Sequence, residues 1–212
     1  MIAPLDLALF LAAATLVAVT PGPGIFYVAA RALSGGRAEG IASSLGTGLG
    51  GMVHVVAGAV GVSALVMASA EAFTLLKLAG AAYLVWLGLR TIRAAATAPV
   101  PVLGMPPAGG WRAFSEGVVV EALNPKTAAF FLAFLPQFVD PARGEAGLQF
   151  VLLGLLSVTL NTLADVVVAF AAASLGGRLV ARPGAVRRMR QASGGVLCGL
   201  GVALLAARRP AS

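Results

Sequence analysis

Lys126 is the residue whose position most needs explaining. It lies in the apolar run at residues 118–137, VVVEALNPKTAAFFLAFLPQ. From either end of its span it is about a dozen residues, roughly 18 Å at helical rise. An ammonium is costly in hydrocarbon and turns toward the protein interior unless it can snorkel to the surface. Directly before it stand Asn124 and Pro125. A proline inside a helix removes a backbone donor and frees the carbonyl four residues earlier, which is that of Glu121. A second break occurs at Pro21-Gly22-Pro23-Gly24. The N-terminus of a half-helix presents free N–H groups and a positive dipole end, so it suits a carboxylate. Gly22 and Gly24 would let a ligand approach the backbone. These residues, Pro21 to Gly24 and Asn124 to Lys126, form the expected binding site.

Three other polar residues fall in apolar runs. Asp165 has Asn161 one helical turn before it, so both face the same way. A carboxyl in a span is a candidate proton carrier or ion-pair partner. Glu121 stands at the turn that Pro125 disrupts and could pair with Lys126, whereas Glu116, nearer the interface, reads as solvated. His54, the only histidine, falls on the row Ala42, Gly46, Gly50, His54, Gly58. Small residues at that spacing let helices approach closely, so His54 faces a neighbouring helix as a hydrogen-bonded packing residue or a proton relay. With one histidine and one cysteine, Cys198, neither a metal site nor an internal disulfide is expected, and no cofactor is implied.

Such residues must be positioned by membrane-spanning helices. The chain has 212 residues, of which 59% are hydrophobic and 11% charged, with mean hydropathy +0.94. Soluble domains carry roughly 25% charged residues. Six apolar runs reach or approach spanning length: residues 5–30, 41–69, 73–92, 114–139, 148–175 and 193–207. The first has no basic flank and reads as a retained span. Residues 94–111, rich in Pro and Gly, should be irregular and mobile, and residues 178–191 form a second, basic connection. The expected fold is all-α, six spans in one transporter domain. A first repeat (residues 1–93), a linker (94–111) and a second repeat (112–212) would be related by inverted topology, with the site at their interface.

The net charge of +7 comes from basic residues between spans, so it points to loops beside anionic lipid and not to nucleic acid. Arg31, Arg37, Arg90, Arg93, Arg112, Arg178, Arg182, Arg187, Arg188 and Arg190 border connections one, three and five. Only Lys77, Arg143, Arg208 and Arg209 border the other side. Both termini are therefore expected outside.

Several stretches together resemble the LysE/RhtB family of bacterial amino-acid exporters over nearly the whole length. They are TPGPG (20–24), LGTGLGGMVH (45–54), LKLAGAAYLVWLGLR (76–90), LNPKTAAFFLAFLPQF (123–138), Asp165 in the fifth run, and RQASGGVLCGLGVAL (190–204). Two positions depart: Gly24, where the family often has Asn or Asp, and Glu121, where it is commonly apolar or amide-bearing. The resemblance implies a proton-driven exporter of amino acids in the bacterial inner membrane, with protons, the bilayer and a second copy in a homodimer as partners. Charge matching in the expected cavity favours a neutral zwitterion such as threonine, homoserine or leucine. Basic amino acids, metal cations and other small metabolites are the alternatives, with Glu121 the feature favouring a basic substrate. A thiol electron carrier needs two cysteines, a hydrolase needs a nucleophile with a base in reach, and an inert scaffold leaves Lys126 and Asp165 unexplained. A carrier and not an enzyme is expected.

Overall fold

Proline and glycine divide the apolar runs much as the sequence suggests. The computed structural model describes residues 4–68, 70–95, 105–175 and 183–206. The first run becomes helix α1 (Pro4–Val19) and, beyond Pro21-Gly22, the start of α2 (Pro23–Ala68). Gly36 interrupts α2 with φ 72° and ψ −166°, a left-handed φ that glycine adopts without a Cβ penalty. The two arms of α2, residues 23–35 and 37–68, fold sharply at that point, so that Gly40 packs back on Ala32.

Helix α3 (Ala70–Ala94) follows, and after the connection come α4 (Gly110–Ala122) and α5 (Pro125–Ala129). From α5 the backbone widens into a π-helical turn (Phe130–Phe134) and then tightens into a 3₁₀ turn (Leu135–Phe138). A short 3₁₀ turn (Pro141–Arg143), α6 (Ala146–Leu175) and α7 (Pro183–Ala206) complete the chain. The described residues thus form an all-helical fold of seven α-helices without strands. Four of these helices are long and apolar enough to cross a membrane, and five such spans result if the pair bent by 40° at residues 123–124 counts as one.

Helix α7 begins about ten residues earlier than the hydropathy suggests. Its first turns carry Arg187, Arg188 and Arg190; arginine is a good helix former and Pro suits a helix start, so the basic stretch is helical from Pro183. Residues 176–182, with Arg178 and Arg182, lie outside the described residues, as do 207–212 with Arg208 and Arg209. Residues 96–104 of the linker do too. Its described end, residues 105–109, is irregular but docked against the helices.

Polarity runs inward. Ser43, Ser44, Thr47 and Asp165 are fully buried, while Leu45 and Leu49, on the opposite face of the same α2 arm, are 55% and 52% exposed. Exposed Leu152, Leu156, Leu163 and Val167 give α6 a similar outer face. Apolar side chains outside and hydroxyls and carboxyls inside suit a lipid surround.

The α2 arm at 37–68 packs between α4 and α6 on glycines. A Cβ at Gly46 would fall onto the carbonyl of Phe114, and one at Gly50 onto that of Val118, so this arm and α4 run parallel. Gly48 meets Thr162 and Gly51 meets Val158, so the arm and α6 are antiparallel. Gly88 against Gly194 and Val85 against Gly201 make α3 and α7 antiparallel too. A core of Phe10, Phe130, Phe131, Phe134 and Phe150 fills the space between α1, the irregular turns and α6.

Candidate functional site

The two helix breaks lie against each other. At the second, Asn124 is a helix N-cap: its side-chain oxygen accepts from the Lys126 backbone N–H at 3.0 Å, with Pro125 in the first helical position. Asn followed by Pro is a strong helix-start pair. Pro125 leaves the carbonyl of Glu121 without its helical donor. That carbonyl instead accepts the Asn124 N–H at 3.0 Å and lies 2.9 Å from His54 Nε2. A carbonyl only accepts, so His54 carries a proton on Nε2. His54 therefore repairs the break, and its ring packs 5.8 Å from that of Phe131.

Lys126 joins one break to the other. Its Nζ donates to the carbonyls of Val17 and Thr20 at 3.0 and 2.9 Å, where α1 runs out of its own donors. A cation there also complements the negative end of the α1 dipole. The ammonium has a third N–H, and the side chain is 5% exposed. Gly22 makes room for it: a Cβ at Gly22 would lie 3.3–3.4 Å from the end of the lysine chain.

Glu121, 2% exposed, accepts from Thr127 Oγ1 at 2.6 Å and from Asn124 Nδ2 at 2.9 Å. A Cβ at Gly24 would lie 2.7 Å from its Oε2. Gly24 and Glu121 are thus in contact, and the missing side chain at 24 is what gives the carboxylate at 121 its space. Asp165 is fully buried; its Oδ2 is 2.7 Å from Thr47 Oγ1, and its Oδ1 has no hydrogen-bond partner.

These groups border two separate cavities. The larger, about 620 Å³, is lined at its inner end by Pro21, Gly22, Pro23, Pro125 and Lys126. Its walls are Phe26, Leu87, Val120 and Leu197, and toward the end of α3 and the start of α7 it reaches Met105, Arg90 and Arg190. The smaller, about 20 Å³, is lined by Glu121, Thr127, Thr47, Ser157 and Asn161 among apolar neighbours. Lys126 and the prolines of both breaks therefore meet in one cavity and Glu121 borders the other. Asp165 borders neither directly and reaches the small one through Thr47. Gly24 and Asn124 stand between, each in contact with Glu121. Among the described residues no three His, Cys, Asp or Glu side chains converge as a metal site would need.

A third polar cluster was not evident from the sequence. Arg31, which reads as a loop charge, is 3% exposed. Its guanidinium pairs with Glu116, donates to Tyr27 Oη at 3.1 Å and to the carbonyl of Pro106 at 3.2 Å, and lies 3.9 Å from Glu39. Glu39 in turn accepts from the N–H groups of Ala108 and Gly109 at 2.8 and 2.7 Å. Glu116 is paired with Arg31 and Arg112 and is not simply solvated. The only available signal was Arg and Glu spaced across the Gly35-Gly36 pair, which also fits a loop.

Comparison with known proteins shows what the chain is similar to. The LysE type translocator family matches residues 15–208. A membrane protein of Vibrio cholerae is 34% identical over 94% of this chain and 96% of its own length. The homoserine/homoserine lactone efflux protein of Salmonella typhimurium is 33% identical over 94% of this chain and 95% of its own. The leucine efflux protein of Klebsiella pneumoniae is 26% identical over 94% and 92%. No solved structure matches.

Proposed function

This chain belongs to the LysE type translocator family, and we propose that it is a secondary transporter exporting neutral amino acids of the threonine, homoserine or leucine kind, driven by the proton motive force. The observation that carries the reading is the large cavity ending on Lys126 and the Pro21–Pro23 break. The third N–H of Lys126 and the free backbone donors that open α2 are suited to a substrate carboxylate. Glu121 lies just beyond the lining Pro23, in contact with Gly24 behind the cavity wall, where a shift of Gly24 would present it to the ammonium. Phe26, Leu87 and Leu197 suit an apolar side chain. A basic amino acid or a metal cation fits less well, because Lys126, Arg90 and Arg190 line the cavity and no carboxylate does.

The reading extends to architecture. Residues 1–212 form one carrier domain, not an enzyme, with six spans in two inverted repeats. Supporting this are the antiparallel pairing of the α2 arm with α6 and of α3 with α7, and the meeting of the two broken segments. The sixth span is α1 continued through Pro21-Gly22 into residues 23–35. The basic connections face the cytoplasm of a bacterial inner-membrane protein, both termini face out, and two copies form a homodimer. The cavity then opens inward, with Arg90 and Arg190 drawing carboxylates from the cytoplasm.

Binding to purified protein tests the site. Leucine, threonine or homoserine should bind, and the corresponding methyl ester, lacking the carboxylate, should not compete. An ester that competes as well as the acid would remove the assigned role of Lys126. Overexpression should also lower intracellular pools of the exported amino acid.

A further inference from the structure

We propose that the small cavity holds a water molecule that relays a proton between Asp165 and Glu121, on a path that meets the substrate's only at Glu121. The inference rests on the efflux reading above and adds how proton and substrate exclude each other.

The cavity, about 20 Å³, has room for one water, and a buried water needs two to four polar partners. Glu121, Thr47, Thr127, Ser157 and Asn161 supply them. Ser157, Asn161 and Asp165 follow each other at four-residue spacing, hence on one face of α6. The first two line the cavity, and Asp165 lies one turn further along. Its link to the cavity is the Thr47 hydroxyl.

That hydroxyl has one hydrogen and two acceptors in reach, Ser44 O at 2.9 Å and Asp165 Oδ2 at 2.7 Å. An ionised Asp165 accepts that hydrogen, whereas a protonated Asp165 donates to Thr47 and leaves the hydrogen for Ser44 O. Asp165 thus meets Thr47 in either form, and complete burial with an Oδ1 that no donor meets suits the protonated one as the donor state of the relay. Glu121 has the opposite surroundings: Thr127 and Asn124 both donate to it, as suits a carboxylate.

The relay balances. Asp165 gives its proton to Thr47 Oγ, Thr47 releases its own to the water, and the water passes one to Glu121. Thr47 and the water are restored, and one proton has moved. A protonated Glu121 no longer offers a full negative charge to a substrate ammonium, so proton loading and substrate holding become alternatives, which is the requirement for antiport. The charged or titratable groups facing this path are Lys126 from α5, Asp165 from α6, Glu121 from α4 and His54 from α2. His54 is bonded to the Glu121 carbonyl and not to its carboxyl.

The test uses the full chain in proteoliposomes with labelled leucine, threonine and homoserine. Exchange at equal pH needs no net proton movement, whereas accumulation against a gradient under an imposed pH difference does. Ser157→Val fills the water site. It should keep exchange and lower pH-driven accumulation by about tenfold, the rate equivalent of one lost hydrogen-bond bridge. Ser157→Ala leaves the space and should fall between Ser157→Val and wild type. Asn161→Leu, which fills the same site from the next turn of α6, is the second variant should Ser157→Val fail to reach the membrane, and it should show the same split. If the filled variants accumulate substrate like wild type, or lose exchange and accumulation equally, the relay is wrong while the efflux reading stands. A sodium gradient that replaces the pH difference would also overturn the relay. If the wild-type protein exchanges none of the three amino acids, the efflux reading falls and the relay with it.

Discussion

Replacing Lys126 by methionine keeps most of the buried chain and removes the ammonium. Two carbonyls, Val17 O and Thr20 O, then lose the donor that reaches them at 3.0 and 2.9 Å. Val17 O keeps the Thr20 N–H at 3.1 Å, so one buried acceptor, Thr20 O, is left unsatisfied, at a cost of about 1–3 kcal/mol. Water entering from the large cavity can satisfy part of that deficit, which favours the lower half of the range. For a chain of this size the melting temperature should fall by roughly 2–8 °C. The change also leaves Glu121 without the positive charge that acts on it across the break.

Glu121→Gln separates these contributions. In the double variant Lys126→Met/Glu121→Gln the buried negative charge is gone, and the electrostatic part of the loss should return, leaving the Thr20 carbonyl. The difference between the double variant and the sum of the singles should be about 1–3 kcal/mol. Thermal unfolding of detergent-solubilised protein, followed by tryptophan fluorescence or by size-exclusion recovery after heating, reads both quantities. Unchanged melting of Lys126→Met would refute the staple between α1 and α5. Strict additivity of the two substitutions would refute the charge coupling while leaving the staple in place.

Gly46→Ala places a methyl on the backbone oxygen of Phe114, where only separation of the helices relieves it; destabilisation of about 3 kcal/mol or more is expected by thermal unfolding. Gly195→Ala meets open space and should be neutral or stabilise by up to about 1 kcal/mol through helix propensity. Arg31→Ala leaves Glu116 to Arg112 and Glu39 to the N–H groups of Ala108 and Gly109, and should cost about 1–3 kcal/mol, with faster protease cleavage at residues 105–109. Asp165→Asn should reach the membrane and exchange amino acids without accumulating them under a pH difference. Alkaline phosphatase fused after Ser212 should be active and fused within residues 94–111 silent, and the reverse pattern would invert the orientation.

The sequence made the breaks visible because proline and glycine act locally. Pro125 must disturb its own helix, and Asn before Pro announces the next one, whatever the rest of the chain does. The four or five helices long and apolar enough to span were visible for the same reason, since length and apolarity are properties of a window. What stayed hidden depends on the partner across a gap. Lys126 could be read as repairing its own broken helix; the carbonyls it reaches belong to α1, over a hundred residues earlier. His54 could be a relay or a packing residue until the freed carbonyl of Glu121 was found beside it. Arg31 reads as a loop charge because Gly35-Gly36 marks a turn, and only the fold-back at Gly36 puts that arginine within reach of Glu116 and of the linker. Pairing between Gly24 and Glu121 is of the same kind: two isolated departures become one steric event once the distance between them is known.

One physical problem and its answer recur across the bundle. A broken helix in hydrocarbon exposes backbone groups that water cannot reach, and each unsatisfied group costs several kcal/mol. Here α1 ends with surplus carbonyls and α4 ends with another, while α5 begins with its own Asn cap. One ammonium and one imidazole supply the missing donors, and both come from other segments. The breaks thus hold each other in place, and the polar groups needed for this leave little polar surface facing lipid. Moving either broken segment must first detach Lys126 from Val17 and Thr20. A carboxylate arriving in the large cavity competes for the same ammonium. On the proposed reading, substrate binding and the loosening of the α1–α5 staple are linked through one side chain, and the π and 3₁₀ turns just beyond it are the stretch of backbone least committed to a single hydrogen-bond register.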